Sequence, residues 1–182
     1  MAKFYEALSE DLQAFIAAQH MFFVATAPAN GRINLSPKGL DCFRIINANQ
    51  VAFMNLTGSG NETAAHLAAD GRLTIMFCSF AGKPLILRLY GTGRAIHQQD
   101  AEWVDYVPLF PPAPNNRNII LMDIESVQSS CGFAVPLYDY RGDRDLLLRW
   151  AENRCEEGVQ RYWVEKNQAS IDGLPTYLLE SK

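Results

Sequence analysis

The sequence predicts a mainly β fold with added helices, an antiparallel Greek-key split β-barrel flanked by helices. Three observations carry that expectation. Short runs rich in β-branched and aromatic residues recur with turn chemistry between them, as in HMFFVATA before Pro28-Ala29-Asn30-Gly31. Six or seven such runs follow one another, which excludes the strand–helix alternation of a parallel sheet. One short Ala-rich stretch, ETAAHLAAD, supplies the single mid-chain helix.

A chain of 182 residues is the length of one domain. We expect residues 1–132 to form the barrel with an N-terminal helix and 133–182 a helical extension. Hydrophobic residues make up 48% and charged residues 20%, which excludes wholesale disorder, collagen-like repeats and coiled coil. The net charge of −4 disfavours a broad grip on nucleic acid or on an anionic membrane. No apolar run approaches the roughly 20 residues of a membrane span, and MAKFYEALSEDLQ lacks the basic-then-apolar pattern of a secretory leader. A cytoplasmic protein is expected. The cysteines 42, 78, 131 and 155 are scattered without a CxxC, so free thiols are expected. The histidines 20, 66 and 97 show no metal-binding spacing.

In order along the chain, Leu8, Leu12, Phe15 and Ile16 form one stripe of an amphipathic helix between Tyr5 and Gln19. Residues 20–38 read as a hairpin of HMFFVATA and RINLSPKG. FRII (43–46) and VAFMNL (51–56) form a second hairpin around Asn47-Ala48-Asn49-Gln50. Gly71 stands where a helix-terminating glycine belongs, after the Ala-rich helix. RLTIMFCSF (72–80) and LILRLYGTGRAIH (85–97) read as long strands. A helix from about Asp100 to Leu109 stops at the Pro-rich loop FPPAPNN, NIILMDIESVQSS (118–130) is a strand, and the tail has the periodicity of two helices.

Several constellations bear on chemistry. Gly58-Ser59-Gly60-Asn61-Glu62-Thr63 lies between a strand and a helix start, where backbone N–H groups and the positive helix end favour a phosphate. The same letters also read as a capping box, with Ser59 as the cap and Glu62 reaching back. A Rossmann site is excluded, because no strand–helix–strand unit surrounds the turn and Phe80 stands where an acid belongs. Strand alternation puts Arg32, Asn34 and Ser36 on one face with Lys38 just beyond, a row fit to read a heterocycle or a phosphate, or an ordinary solvent face. Arg88 interrupts an apolar strand, where a guanidinium is paired, bound to an anion or at an edge. Cys131, beside Ser130, has no local His or acid to make it a nucleophile. The chain offers binding groups but no acid, base and nucleophile set, a pattern that leaves chemistry to a cofactor.

FFVATA, RINLSPKG, VAFMNLTGSGNETAAHL, RLTIMFCSF and LRLYGTGRAI, taken in that order, resemble the pyridoxamine 5′-phosphate oxidase-like, FMN-binding split-barrel family from about Phe15 to Gly132. The tail, with SCGFAVPLYDYRGDR and KNQASIDGLPTY, resembles a bacterial branch of it. The resemblance implies a homodimer with FMN at its interface, and an oxidoreductase passing hydride or electrons between a reduced donor such as NAD(P)H and a small acceptor. It implies that Asn34, Ser36 and Lys38 line the flavin ring and reach the phosphate. Met54 and Asn55 would meet the ring by backbone groups, and Ser59, Gly60, Asn61 and Thr63 would form the phosphate turn. Arg88 would face the cofactor, while Ser130 and Cys131 would approach from the second subunit. Members that oxidise vitamin B6 phosphates carry an Arg-Lys pair where this chain has Asn61-Glu62. Lys38, Arg72 or Arg88 would have to supply the charge, with Glu62 turned to its capping role. The Arg-rich C-terminal substrate signature is missing too, so oxidation of pyridoxamine phosphate is not implied. The alternative is a non-enzymatic carrier or sensor of flavin, deazaflavin or heme.

Overall fold

Met21–Thr26 (β2) buries Phe22, Val24 and Thr26 and half-exposes the residues between them, the two-residue period of a strand with one face on the core. The computed structural model describes residues 2–180. Among these residues eight strands form one sheet: β1 (Lys3–Tyr5), β2, β3 (Asn34–Gly39), β4 (Phe43–Asn47), β5 (Gln50–Leu56), β6 (Arg72–Cys78), β7 (Ile86–His97) and β8 (Asn116–Ser130). The order is β3-β2-β6-β7-β8-β5-β4, all neighbours antiparallel, with β1 added against β8.

The sheet curls. Phe22, one strand in from the β3 edge, meets Phe43 on the opposite edge strand at 5.0 Å and Phe53 on β5 at 5.5 Å, with Phe77 of β6 closing the aromatic cluster. The result is an antiparallel half-barrel whose hollow is the core, with Val24, Val51, Ile75, Leu89 and Ile120 fully buried. A bulge between Tyr90 and Gly91 helps the long β7–β8 pair to bend. Gly91 is required there, because a Cβ would lie 1.9 Å from the Asp123 carbonyl oxygen.

Helices cap the half-barrel. In α1 (Glu10–Ala17), Leu12 and Ile16 are buried and Ser9 caps the start by accepting the Leu12 N–H at 3.4 Å. α2 (Glu62–Ala69) buries Thr63 through Leu67 and ends at Gly71, whose φ of +81° is the expected left-handed stop. α3 (Trp103–Tyr106) runs into a short 3₁₀ turn, Val107–Leu109, shorter than the helix read from the sequence. α4 (Leu146–Lys166) breaks at Cys155 (φ 54°) into two helical halves, matching the two helices of the tail. β1 is an addition that the sequence pattern, read as helix from Tyr5, does not disclose. Among the described residues, no helix is long and apolar enough to cross a membrane.

Candidate functional site

Alternation along β3 turns Asn34, Ser36 and Lys38 inward while Leu35 and Pro37 face out. Arg32 does not join that row. It lies before the strand, largely exposed, and pairs with Asp172 through its backbone N–H and its guanidinium. Asn34 Nδ2 donates to Thr26 Oγ1 at 3.2 Å and to Thr63 Oγ1 at 3.3 Å, which ties β3 to the start of α2, and Ser36 Oγ donates to Asn34 Oδ1 at 2.9 Å. Lys38 Nζ donates to Asn55 Oδ1 at 2.8 Å, reaching from the β3 edge to β5 because the sheet curls. Asn55 passes the network on, donating to Asn118 Oδ1 at 2.9 Å and to Asn61 Oδ1 at 3.3 Å.

Arg117, near the head of β8, brings in the second cation. Its side chain is almost wholly buried, and Nη1 donates to the Gly60 carbonyl at 2.9 Å and to Asn167 Oδ1 at 2.7 Å. Its Nε, together with Nδ2 of Asn61 and of Asn118, is buried without a hydrogen-bond partner. Among the described residues no carboxylate pairs with Lys38 or Arg117. Burial lowers the Arg117 pKa to about 9, and burial with the Arg117 charge nearby lowers that of Lys38 to about 8. Two desolvated cations without a counter-ion are costly in isolation, and an anion between them would offset the cost.

Both line a cavity of about 670 Å³, an ordinary ligand size, with Asn34, Ser36 and the turn from Gly58 to Thr63 on its walls. The capping box is not formed. Asn61 stands at the N-cap without a side-chain cap bond, and the Glu62 carboxylate accepts the Ile171 N–H at 3.0 and 3.2 Å. Its negative charge is thus held by the tail. A second cavity of about 650 Å³ shares Pro37, Lys38, Leu56 and Gly58 with the first. It holds Met54, Cys42 and the stacked rings of His20 and Tyr140, 3.5 Å apart. Burial raises the Cys42 thiol to about 11, so it is protonated at neutral pH and is no nucleophile.

The structure thus brings Asn34, Ser36, Lys38, Asn55, Ser59, Gly60, Asn61 and Thr63 to one cavity and Met54 to the cavity beside it. It does not bring Arg88, Ser130 and Cys131 there. Arg88 Nη1 lies 3.4 Å from Ser130 Oγ where β7 and β8 pair, and Cys131 is exposed just beyond. Arg72 supplies no charge to the site either, being paired with Asp70 at the surface. Sequence reasoning misses Arg117, Asn118 and the tail residues Asn167 and Ile171. The signal for Arg117 is akin to that at Arg88, a guanidinium beside or within an apolar strand; the sequence pattern starts the Arg117 strand at 118, and the structure starts it at Asn116.

Residues 8–131 match the family model of pyridoxamine 5′-phosphate oxidase. The chain is 40% identical to the pyridoxamine 5′-phosphate oxidase family protein ustO of Aspergillus flavus, across 96% of this chain and 78% of that protein. The match extends into the tail, which is therefore shared with a fungal protein and is not confined to a bacterial branch. Among solved structures, a single-substitution variant of HupZ from Group A Streptococcus superimposes with a TM-score of 0.55 at 17% identity, over 68% of this chain and 99% of that one. A candidate pyridoxamine 5′-phosphate oxidase from Lactobacillus delbrueckii gives 0.53 at 16%, over 68% and 94%. At such identities these two speak for the fold, a split-barrel architecture. With the family model spanning the sheet and the cavity, and a relative of 40% identity along nearly the whole length, the chain belongs to the pyridoxamine 5′-phosphate oxidase family.

Proposed function

We propose that the protein binds FMN noncovalently, with the phosphate between Lys38 and Arg117 and against the turn from Gly58 to Asn61. The observation that carries this reading is the pair of buried cations without a carboxylate in the wall of one ligand-sized cavity, with buried unpartnered donors on Arg117 and Asn61 beside them. The fit to a phosphate monoester is chemical as well as spatial. A dianion accepts charge-assisted hydrogen bonds from an ammonium and a guanidinium, and the start of α2 adds backbone N–H groups.

Bound FMN would supply reversible hydride and electron transfer between a reduced donor such as NAD(P)H and a small acceptor. The chain's own residues would bind and orient. Lys38 and Arg117 fix the phosphate, while Asn34, Ser36 and backbone groups at Met54 and Asn55 set the ring. We further propose a homodimer with the cofactor at its interface, in which Arg88, Ser130 and Cys131 approach the flavin of the partner subunit. Exposed apolar side chains, including Ile33, Leu35, Phe133 and Leu137, support an interface of that kind. The four free thiols support a cytoplasmic setting.

The test is the absorbance spectrum of protein purified without added cofactor, followed by heat release and chromatography of the bound species. Two flavin bands and released FMN are expected. A Soret band, or a colourless protein that takes up no added FMN, overturns the reading. Sedimentation velocity at micromolar concentration should show a dimer, and a monomer alone would remove the shared site.

A further inference from the structure

Asn167 closes α4 at a position beyond residue 131, where the family match ends. It is fully buried, and its amide is used at both ends. Oδ1 accepts Arg117 Nη1 at 2.7 Å, and Nδ2 donates to the Gly58 carbonyl at 3.2 Å. The residue is itself anchored by its N–H on the Trp163 carbonyl at 3.0 Å and by Thr176 Oγ1 on its own carbonyl at 2.7 Å. A further bond, Trp163 Nε1 to Thr57 Oγ1 at 2.7 Å, fastens the same helix to the residue preceding the turn. The amide accepts from the guanidinium through its oxygen and donates to the carbonyl through its nitrogen, which neither a carboxylate nor an apolar side chain of this size can do. Aspartate would accept at both ends and neutralise the guanidinium; leucine would do neither.

A few residues on, the Ile171 N–H holds the Glu62 carboxylate. The tail therefore touches the anion cavity at two points, presenting its cation and restraining its nearest acid. We infer that the C-terminal segment from Trp163 to Ile171 is a working part of the phosphate site, with Asn167 the positioning residue that aims the Arg117 guanidinium at the ligand's phosphate. The inference rests on the flavin reading above and adds to it where the phosphate specificity comes from.

The experiment compares wild type, Asn167→Asp and Asn167→Ala by fluorescence titration with FMN and with riboflavin, which lacks the phosphate, alongside thermal unfolding of the ligand-free proteins. Wild type should prefer FMN. Asn167→Asp should lose at least thirtyfold in FMN affinity and Asn167→Ala about tenfold, with riboflavin affinity within threefold of wild type in both. Asn167→Asp should melt no lower than Asn167→Ala, since the new carboxylate pairs with Arg117, so loss of affinity and loss of stability rank in opposite orders. If FMN and riboflavin weaken together, or FMN affinity follows the melting temperature, Asn167 is merely structural and the inference fails. If wild type binds FMN no better than riboflavin, the phosphate site itself is wrong. If it binds neither, the flavin reading falls and this inference with it.

Discussion

Lys38 is charged in the folded protein at a cost, and that cost would make the proposed binding of FMN a proton-linked event with a measurable sign. Burial and the neighbouring Arg117 bring its pKa down to about 8, against roughly 10.4 for an unfolded lysine. Between those values the unfolded chain holds a proton that the native chain has released, so ligand-free stability rises with pH across that window, by up to roughly 3 kcal/mol. A phosphate beside the ammonium removes the cause. At pH 8 about half of the Lys38 amines are neutral, and binding should recharge them, taking up roughly half a proton, while the Arg117 guanidinium stays charged throughout. At pH 6.5 both groups are already charged. There the phosphate monoester, with a second pKa near 6, should release roughly a quarter of a proton on binding.

Calorimetric titration of FMN in two buffers of different ionisation enthalpy, for example Tris and HEPES at pH 8, reads the proton count from the difference in observed heats. Lys38→Ala should remove most of the uptake at pH 8 and weaken binding by roughly 1.5–3 kcal/mol, the range for a hydrogen bond to a charged group. Equal heats in both buffers at pH 8, or an uptake that survives Lys38→Ala, would refute the reasoning. The first result would mean that the amine is not desolvated, the second that it does not face the phosphate.

Three other outcomes follow from the same structure. Arg117→Met should weaken FMN by roughly 1.5–3 kcal/mol while changing ligand-free stability by less than about 2 kcal/mol, because an unpaired buried charge leaves with the bonds it makes; urea unfolding and FMN titration check the two halves, and unchanged affinity in a folded variant would remove Arg117 from the site. Gly91→Ala should cost about 2–4 kcal/mol in urea unfolding, since its Cβ would meet the Asp123 carbonyl at 1.9 Å; a loss under about 0.5 kcal/mol would contradict the bulge geometry. Trp163→Phe should cost about 1–2 kcal/mol by losing the bond to Thr57 and should speed amide exchange at Gly58 and Gly60; exchange at the wild-type rate would show that α4 does not brace the turn.

The strands after β1 were legible because each is a run rich in β-branched and aromatic residues bounded by turn chemistry, and in Met21–Thr26 the burial also alternates. Lys38 and its row were legible for the same reason, since a polar residue on every second position of a strand must share a face. What was not legible depends on contacts between segments distant in the chain. Arg117 lies 57 residues from the carbonyl it holds at Gly60, and Asn167 is 109 residues from Gly58; no local pattern encodes either meeting. Glu62 misled for a related reason. Its spacing from Ser59 is that of a capping box, but the Ile171 N–H competes for the carboxylate and wins.

On the proposed phosphate site, the substitution of Asn61-Glu62 for the basic pair of the vitamin B6 phosphate oxidases, as the sequence resemblance describes them, is a relocation of charge. Cations on a flexible turn would be cheap to hold in water and would lose side-chain freedom on binding. Lys38 and Arg117 instead rise from two strands of the sheet, each already bonded to an asparagine, Asn55 or Asn167. They have little conformational freedom left to lose, and they carry a desolvation cost that the ligand-free protein must bear alone. Placing a phosphate beside them lowers that cost, so ligand affinity and ligand-dependent stability should rise together. The buried asparagines 55, 61, 118 and 167 complete the arrangement, because amides can orient two cations without cancelling them, as carboxylates in the same places would.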